Sequence, residues 1–270
     1  NCNIQPYIKH IDSYSFKECQ NLQSIFFPEN SQLISIGRDS FSMSFIVSIS
    51  IPDSITQIRK CTFALCQKLQ TVTFSKSSKL EKIEESAFCY TSIEEITIPP
   101  HVKTIEMLAF SNCCKLRSFQ FSEGSEISQI ESSTFSDSSI EELHIPSKVN
   151  LLKEGWCSGL NKLKHIFLSP ENENFSYMNE NVILGKSDLI SNIFDVIVCA
   201  CSETEEVLMP SSIKYIDSYA FQLCKKLKKV EFEQNSQLIK IGTRSFADSS
   251  IRRIVVPRSV EKIGSFAFFG

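Results

Sequence analysis

Apolar residues recur along the chain in fixed slots. Phe16, Phe41, Phe63, Phe88, Phe110 and Phe135 stand 25, 22, 25, 22 and 25 residues apart. Trp156 extends the series 21 residues later, and Phe221, Phe246 and Phe268 resume it with steps of 25 and 22. Five residues before each of these anchors is an aliphatic side chain, from Ile11 and Ile36 through Leu151 to Ile241 and Ile263. Often Ala precedes the anchor, as at Ala87, Ala109, Ala220 and Ala267. Self-similarity at a period of 20 to 50 residues is the mark of a stacked-repeat architecture.

A second pattern follows each anchor, apolar-x-x-apolar-x-apolar. Leu69/Val72/Phe74, Ile93/Ile96/Ile98, Leu116/Phe119/Phe121 and Ile140/Leu143/Ile145 are examples. The last two positions alternate with polar residues at period two, which predicts a short strand with one buried face. In the shorter units Pro52, Pro99, Pro146, Pro210 or Pro257 ends the strand, since proline lacks an N–H and has a fixed φ. No single unit can bury its own Phe, its Ile and its strand residues, so stacked units must share one core column. The expected architecture is a solenoid over 1–270 of alternating units of about 22 and about 25 residues. Its class is α/β, with a single parallel sheet on one face and short helices or turns opposite.

The run Ile-x-x-x-Ala-Phe-x-x-Cys-x-x-Leu-x-x-Ile-x-Ile-Pro-x-Ser-Val, clearest in Cys61–Val102, Tyr219–Phe232 and Ile251–Phe268, resembles the BspA-like (Treponema-type) leucine-rich repeats. Strict alternation of a Cys-Leu unit with a Ser-Ile unit is similar to the large sets of such proteins in trichomonad parasites. The resemblance implies a surface or secreted protein of adhesin type, on the cell surface or outside the cell, binding host or matrix proteins. A spacer or stalk segment without a binding site of its own is the alternative.

The repeat breaks once. Strand starts lie 23 or 24 apart, but Leu163 and Thr204 are 41 apart. Within the irregular unit, 170–203, the alternation from Asn174-Phe175-Ser176 through Val182 to Ile190 around a Gly-containing turn reads as a β-hairpin. It either covers the sheet edge or forms a flap beside a binding site.

Composition narrows the chemistry. A net charge of −3 argues against a nucleic-acid partner, and no stretch approaches the ~18 apolar residues of a membrane span. Membrane insertion within this segment is not expected. Of the 11 cysteines, Cys19, Cys66, Cys113 and Cys224 fall three after an anchor, where alternate units carry Ser44, Thr91, Ser138 and Ser249. Equivalent slots two units apart should be ~9.5 Å apart, beyond the ~7 Å that a disulfide tolerates. These four are expected to be free buried thiols, while Cys2, Cys61, Cys89 and Cys157 have no assigned partner. His10, His101, His144 and His165 are scattered without metal-ligand spacing. Gly185-Lys186-Ser187 lacks the earlier Gly of a phosphate loop, Glu180 standing there instead. We therefore expect no catalytic residues, no cofactor and no metal, hence no enzyme.

Residues between the inward strand positions face solvent. There Phe167 and Leu208 are large and apolar, and His144, His165 and Glu206 surround them. Aromatics ringed by charge are what the centre of an interface looks like. These five are the candidate contact patch for a protein or glycoprotein ligand, the rival being that the hairpin folds over Phe167 and Leu208. Ile4-Gln5-Pro6-Tyr7-Ile8 matches Ile98-Pro99-Pro100-His101-Val102, so the chain is expected to be an excerpt of a longer array.

Overall fold

A computed structural model describes all residues, 1–270. Every regular element is a β-strand. The chain groups into two compact units, Asn1–Ile140 and Glu141–Gly270, each a β-solenoid of stacked coils. In the first unit Ser48–Ile51 pairs in parallel with Thr71–Phe74, and Glu95–Ile98 with Ser118–Phe121. In the second, Glu142–Ile145 pairs with His165–Leu168, and Glu206–Met209 with Lys229–Phe232. Ser48–Ile51, Glu95–Ile98, Glu142–Ile145 and Glu206–Met209 alternate strictly between exposed and buried residues, so the triplet pattern did point its apolar members inward. A ladder of two-residue strands runs alongside. In the first unit Gln57–Ile58, Lys82–Ile83 and Thr104–Ile105 pair in turn, and in the second Tyr215–Ile216 pairs with Lys240–Ile241.

The expected short helices, and with them the α/β class, are not found: no helix exists anywhere in the chain, and none could therefore cross a membrane. The segment around each anchor is a train of turns instead. Residues two before and two after the anchor hold positive φ, as at Asp39 and Met43, Cys61 and Leu65, Ser86 and Tyr90. The left-handed residues and the anchor between them turn their N–H groups outward to the next coil. Phe63 N–H donates to Ala87 C=O (2.9 Å) and Leu65 N–H to Cys89 C=O (2.8 Å) in the following coil, while Ala64 N–H returns to Cys61 C=O (3.1 Å) in its own. An α-helix would keep every one of these bonds inside the segment. Here half of them join coils, which makes the turns a second hydrogen-bonded seam.

A left-handed L-residue costs roughly 1–2 kcal/mol, and a β-branched one more. No Val, Ile or Thr occupies any of the positive-φ positions. Leu65→Ile, although isomeric and at a surface position, should therefore destabilise by about 1–2 kcal/mol, whereas Leu65→Gly should stay within ~0.5 kcal/mol of wild type. Urea midpoints read the difference, and an Ile variant as stable as the Gly variant would contradict the account.

The anchors stack. In the first unit Phe16, Phe41, Phe63, Phe88 and Phe110 follow one another at 5.1–5.3 Å between ring centroids, with interplanar angles of 2–12°. Phe221, Phe246 and Phe268 form a second stack in the other unit, at 4.9 and 5.4 Å. Trp156 does not occupy the anchor slot. Gly155 and Gly159 carry the paired positive φ values, which centres the turn on Cys157. Trp156 takes the Ala slot, and Leu152 is buried where Leu151, 40% exposed, was expected. Trp156 and Cys157 are both buried.

All 11 cysteines are free. Cys66, Cys113 and Cys224 are buried, whereas Cys19 is half-buried. The Cys66 thiol donates to Phe41 C=O (2.9 Å) and the Cys113 thiol to Phe88 C=O (3.2 Å), with Ser44 and Thr91 beside them. Burial pushes the Cys66 thiol up to about 11 and that of Cys113 up to about 12. At neutral pH neither forms the thiolate that reacts.

The irregular unit holds three strands. Ser176–Asn179 runs antiparallel to Val182–Gly185, which runs antiparallel to Val196–Ala200. The hairpin turn falls at Glu180-Asn181, while Gly185 ends a strand buried along its whole length. A Cβ on Gly185 would lie 2.7 Å from Val198 Cγ2, which explains the glycine by close packing. Val196–Ala200 then rejoins the side ladder, pairing in parallel with Tyr215–Ile216. Ile197 takes the Ile slot, its C=O accepting the Asp217 N–H as Ile216 C=O accepts that of Gly242. Cys201 takes the small slot, accepting the Thr204 N–H as Cys224 accepts that of Leu227. Only four residues separate these slots, against eight in the next coil, so this unit has no anchor turn. Val182 and Leu184 from the hairpin join the cluster around Phe221 in its place.

Candidate functional site

The sheet face of the second unit carries the residues singled out by sequence. His144 lies directly opposite Phe167 in the ladder, and their rings stack at 4.6 Å with 21° between planes. His165, on the same strand as Phe167, holds its ring 6.0 Å from it. The strand pairing thus places three aromatic rings on one exposed patch. Phe167 remains 40% exposed and Leu208 57%, so the hairpin does not bury them.

Glu206 and Leu208 are not joined to that cluster by strand pairing. Their strand pairs only with Lys229–Phe232, placing Glu206 opposite Lys229 and Leu208 opposite Glu231. The separation has a local cause. Tyr177 reaches from the hairpin to the edge of His165–Leu168, where its hydroxyl accepts the Leu168 N–H (2.7 Å) and donates to Ile166 C=O (3.1 Å). One phenol thus satisfies both edge groups that a following strand would have paired. Sequence reasoning missed Tyr177. Its signal was modest, a polar-tipped aromatic in an alternating strand that should place one face on the core.

Charge pairs rim the face. Lys164 Nζ meets Glu141 at 2.7 Å and Lys228 Nζ meets Glu205 at 3.3 Å, each pair bridging neighbouring coils. Both are solvent-exposed and add little stability. Glu203 is a further carboxylate that the sequence did not mark. Its hydrogen bond to Lys226 holds it below the usual carboxylate range, with Lys164 and His165 adding to the pull. The patch is therefore aromatic at its centre and mixed in charge at its rim. It offers stacking and hydrogen-bonding groups, with no nucleophile–base pair among its contacts.

The Gly185-Lys186-Ser187 triplet forms no anion cradle. Ser187 commits its N–H (2.9 Å) and its hydroxyl (2.8 Å) to the Asp195 carboxylate, and Lys186 lies over the Phe194 ring at 5.0 Å. Burial alone would raise the Asp195 carboxyl, but Ser187 and Lys214 together hold it low.

Comparison with known proteins agrees with this architecture. The model of the BspA type leucine rich repeat region matches in six copies, over residues 1–113, 81–196 and 171–270. Among solved structures, the pneumococcal vaccine antigen PcpA matches the whole chain with a TM-score of 0.78 and 29% identity. The chain spans 63% of the length of that structure. A leucine rich cell surface protein from Faecalibacterium prausnitzii matches the whole chain at 0.64 and 19% identity, with 78% of its own length covered. A leucine-rich repeat protein from Bacteroides ovatus matches 99% of the chain at 0.61 and 24%, with 69% of its length covered. These last two likenesses speak for the fold alone. No curated protein matches the sequence. With its stacked Phe anchors, parallel ladders and family matches spanning 1–270, the chain belongs to the BspA-type leucine-rich-repeat family.

Proposed function

We propose that this chain is a non-catalytic binding module of a surface or secreted protein, which holds a protein or glycoprotein ligand against its sheet face. The observation that carries the reading is the exposed stack of His144 on Phe167, with His165 alongside and paired charges around them. A preassembled aromatic cluster loses little side-chain freedom on binding, the property that makes aromatics the anchors of interfaces. Glu206 and Leu208 form a second contact zone on the neighbouring ladder. Leucine-rich-repeat proteins generally bind proteins, and PcpA is a vaccine antigen. On that footing we read host-cell or extracellular-matrix glycoproteins as the partner class and adhesion as the role.

Phe167→Asp tests this against a panel of immobilised matrix glycoproteins. Binding should fall by more than about tenfold with an unchanged melting temperature. Undiminished binding together with a lowered melting temperature would sink the proposal. A spacer role is the second reading. It is favoured by the face of the first unit, where Ser50, Thr73, Thr97 and Gln120 form a bare polar column, and it requires that Phe167→Asp change no interaction at all.

A further inference from the structure

Where the irregular unit lacks its anchor turn, the second unit carries a solvent-open pocket of about 500 Å³. The turns on either side meet across the gap through two hydrogen bonds that each use at least one side chain. Ser218 Oγ–H donates to Glu154 Oε1 (2.5 Å), and the Gly159 N–H donates to Gln222 Oε1 (3.1 Å). Leu152, Phe175, Val198 and Tyr215 wall the pocket, Asp217 and Lys240 bring opposite charges into it, and Lys186, held over the Phe194 ring, lies at its edge. Small-molecule sites share this volume, and here apolar walls and polar groups contribute to the lining in similar measure. None of the residues of the sheet-face patch lines it.

Asp217 is the telling residue. The backbone on both sides of it is committed, its N–H to Ile197 C=O and its C=O to the Ala220 N–H. Its carboxylate is half-buried in the pocket wall and receives no hydrogen bond from the protein, its charged neighbours being Lys240 and Glu154. A half-buried carboxylate without a protein donor is left to water or to an external partner facing the pocket. A purely anionic ligand would meet Asp217, and a purely cationic one would meet Lys240. A neutral polyhydroxylated ring suits both groups, because one hydroxyl can donate to a carboxylate while accepting from an ammonium. The C–H faces of such a ring are apolar and suit walls such as Tyr215 and Leu152.

We propose that this pocket is a saccharide site, in which a pyranose hydroxyl donates to Asp217 and accepts from Lys240. The site is independent of the sheet-face reading. Its test uses the whole chain and a panel of methyl pyranosides (glucose, galactose, mannose, fucose and N-acetylglucosamine), with cellobiose and lactose, read by saturation-transfer NMR and calorimetry. At least one sugar should bind the wild type, and Asp217→Asn and Lys240→Ala should each weaken it by about tenfold or more. Phe167→Asp should leave sugar binding unchanged. Should Asp217→Asn fail to fold, the exposed Lys240 decides alone. The proposal is overturned if no pyranoside binds the wild type, if the variants bind as the wild type does, or if butylamine binds where every sugar fails.

Discussion

Phe88→Ala should destabilise the protein by about 3–5 kcal/mol, the full penalty of removing a ring from a packed core. Phe88 is fully buried, and its ring lies 5.3 Å from that of Phe63 and 5.2 Å from that of Phe110, close to parallel with both. The backbone keeps its partners in the variant. Phe88 N–H still donates to Ala109 C=O, and Phe88 C=O still accepts the Thr91 hydroxyl and the Cys113 thiol. What is lost is ring volume and two stacked contacts, each contributing ~0.5–1.5 kcal/mol beyond burial. Coils touch only their neighbours, so the cavity cannot be closed by rearrangement from farther along the stack. Phe16→Ala is the internal control. Phe16 is half-buried and stacks on Phe41 alone, so its loss should be less than half as large. Urea denaturation followed by far-UV circular dichroism measures both. A Phe88→Ala loss below about 1 kcal/mol would mean that the column is replaceable filler.

The sequence revealed this column because burial imposes the same requirement on every coil. Phe, Ile and the strand triplet recur wherever one face of a coil must meet an identical face on the next. It did not reveal the turns, whose structure depends on backbone conformation. An αR–αL alternation leaves only a negative mark on the sequence, the absence of β-branched residues at the positions two before and two after each anchor. Phe and Ile spacing alone is equally compatible with a short helix. The slip at Trp156 has a similar origin. The size of the indole suggested the anchor, whereas Gly155 and Gly159, the two glycines at left-handed positions of one turn, mark Cys157 as its centre.

The candidate patch was legible in part for the same reason. His144 and Phe167 occupy corresponding positions in successive coils, so repeat arithmetic alone makes them neighbours. Leu208 occupies the corresponding position in a later coil, and counting slots placed it beside Phe167 as well. What counting could not show is that the hairpin sends Tyr177 to the edge of His165–Leu168, a long-range contact set by the fold of an insertion. The pocket beneath the hairpin was invisible for a related reason. It results from four residues missing between the slots of Ile197 and Cys201, and an inserted hairpin upstream conceals that deletion when only the distance between strand starts is counted.

Asp217→Asn should make the protein more stable at neutral pH, by about 2–3 kcal/mol, and should not do so in acid. Burial raises the Asp217 carboxyl from 3.8 to about 6, with Glu154 raising it further and Lys240 opposing. A raised carboxyl means that the folded state holds a proton that the unfolded state releases. This group therefore disfavours the fold progressively as pH rises through the interval from about 4 to about 6, and its penalty is complete above that interval. Asn carries no charge and escapes the penalty, so the difference between variant and wild type should be near zero at pH 4 and reach its plateau by about pH 7. Asp195 behaves oppositely. Its carboxyl is held low by Ser187 and Lys214, so both proteins lose that contribution in acid and only their difference isolates Asp217. Urea midpoints at closely spaced pH values provide the curve, and a difference independent of pH would refute the assignment. A gain in stability coupled to a loss of sugar binding is the relation expected when a strained group is kept for a ligand. A gain without any such loss would leave Asp217 as an uncompensated half-buried charge.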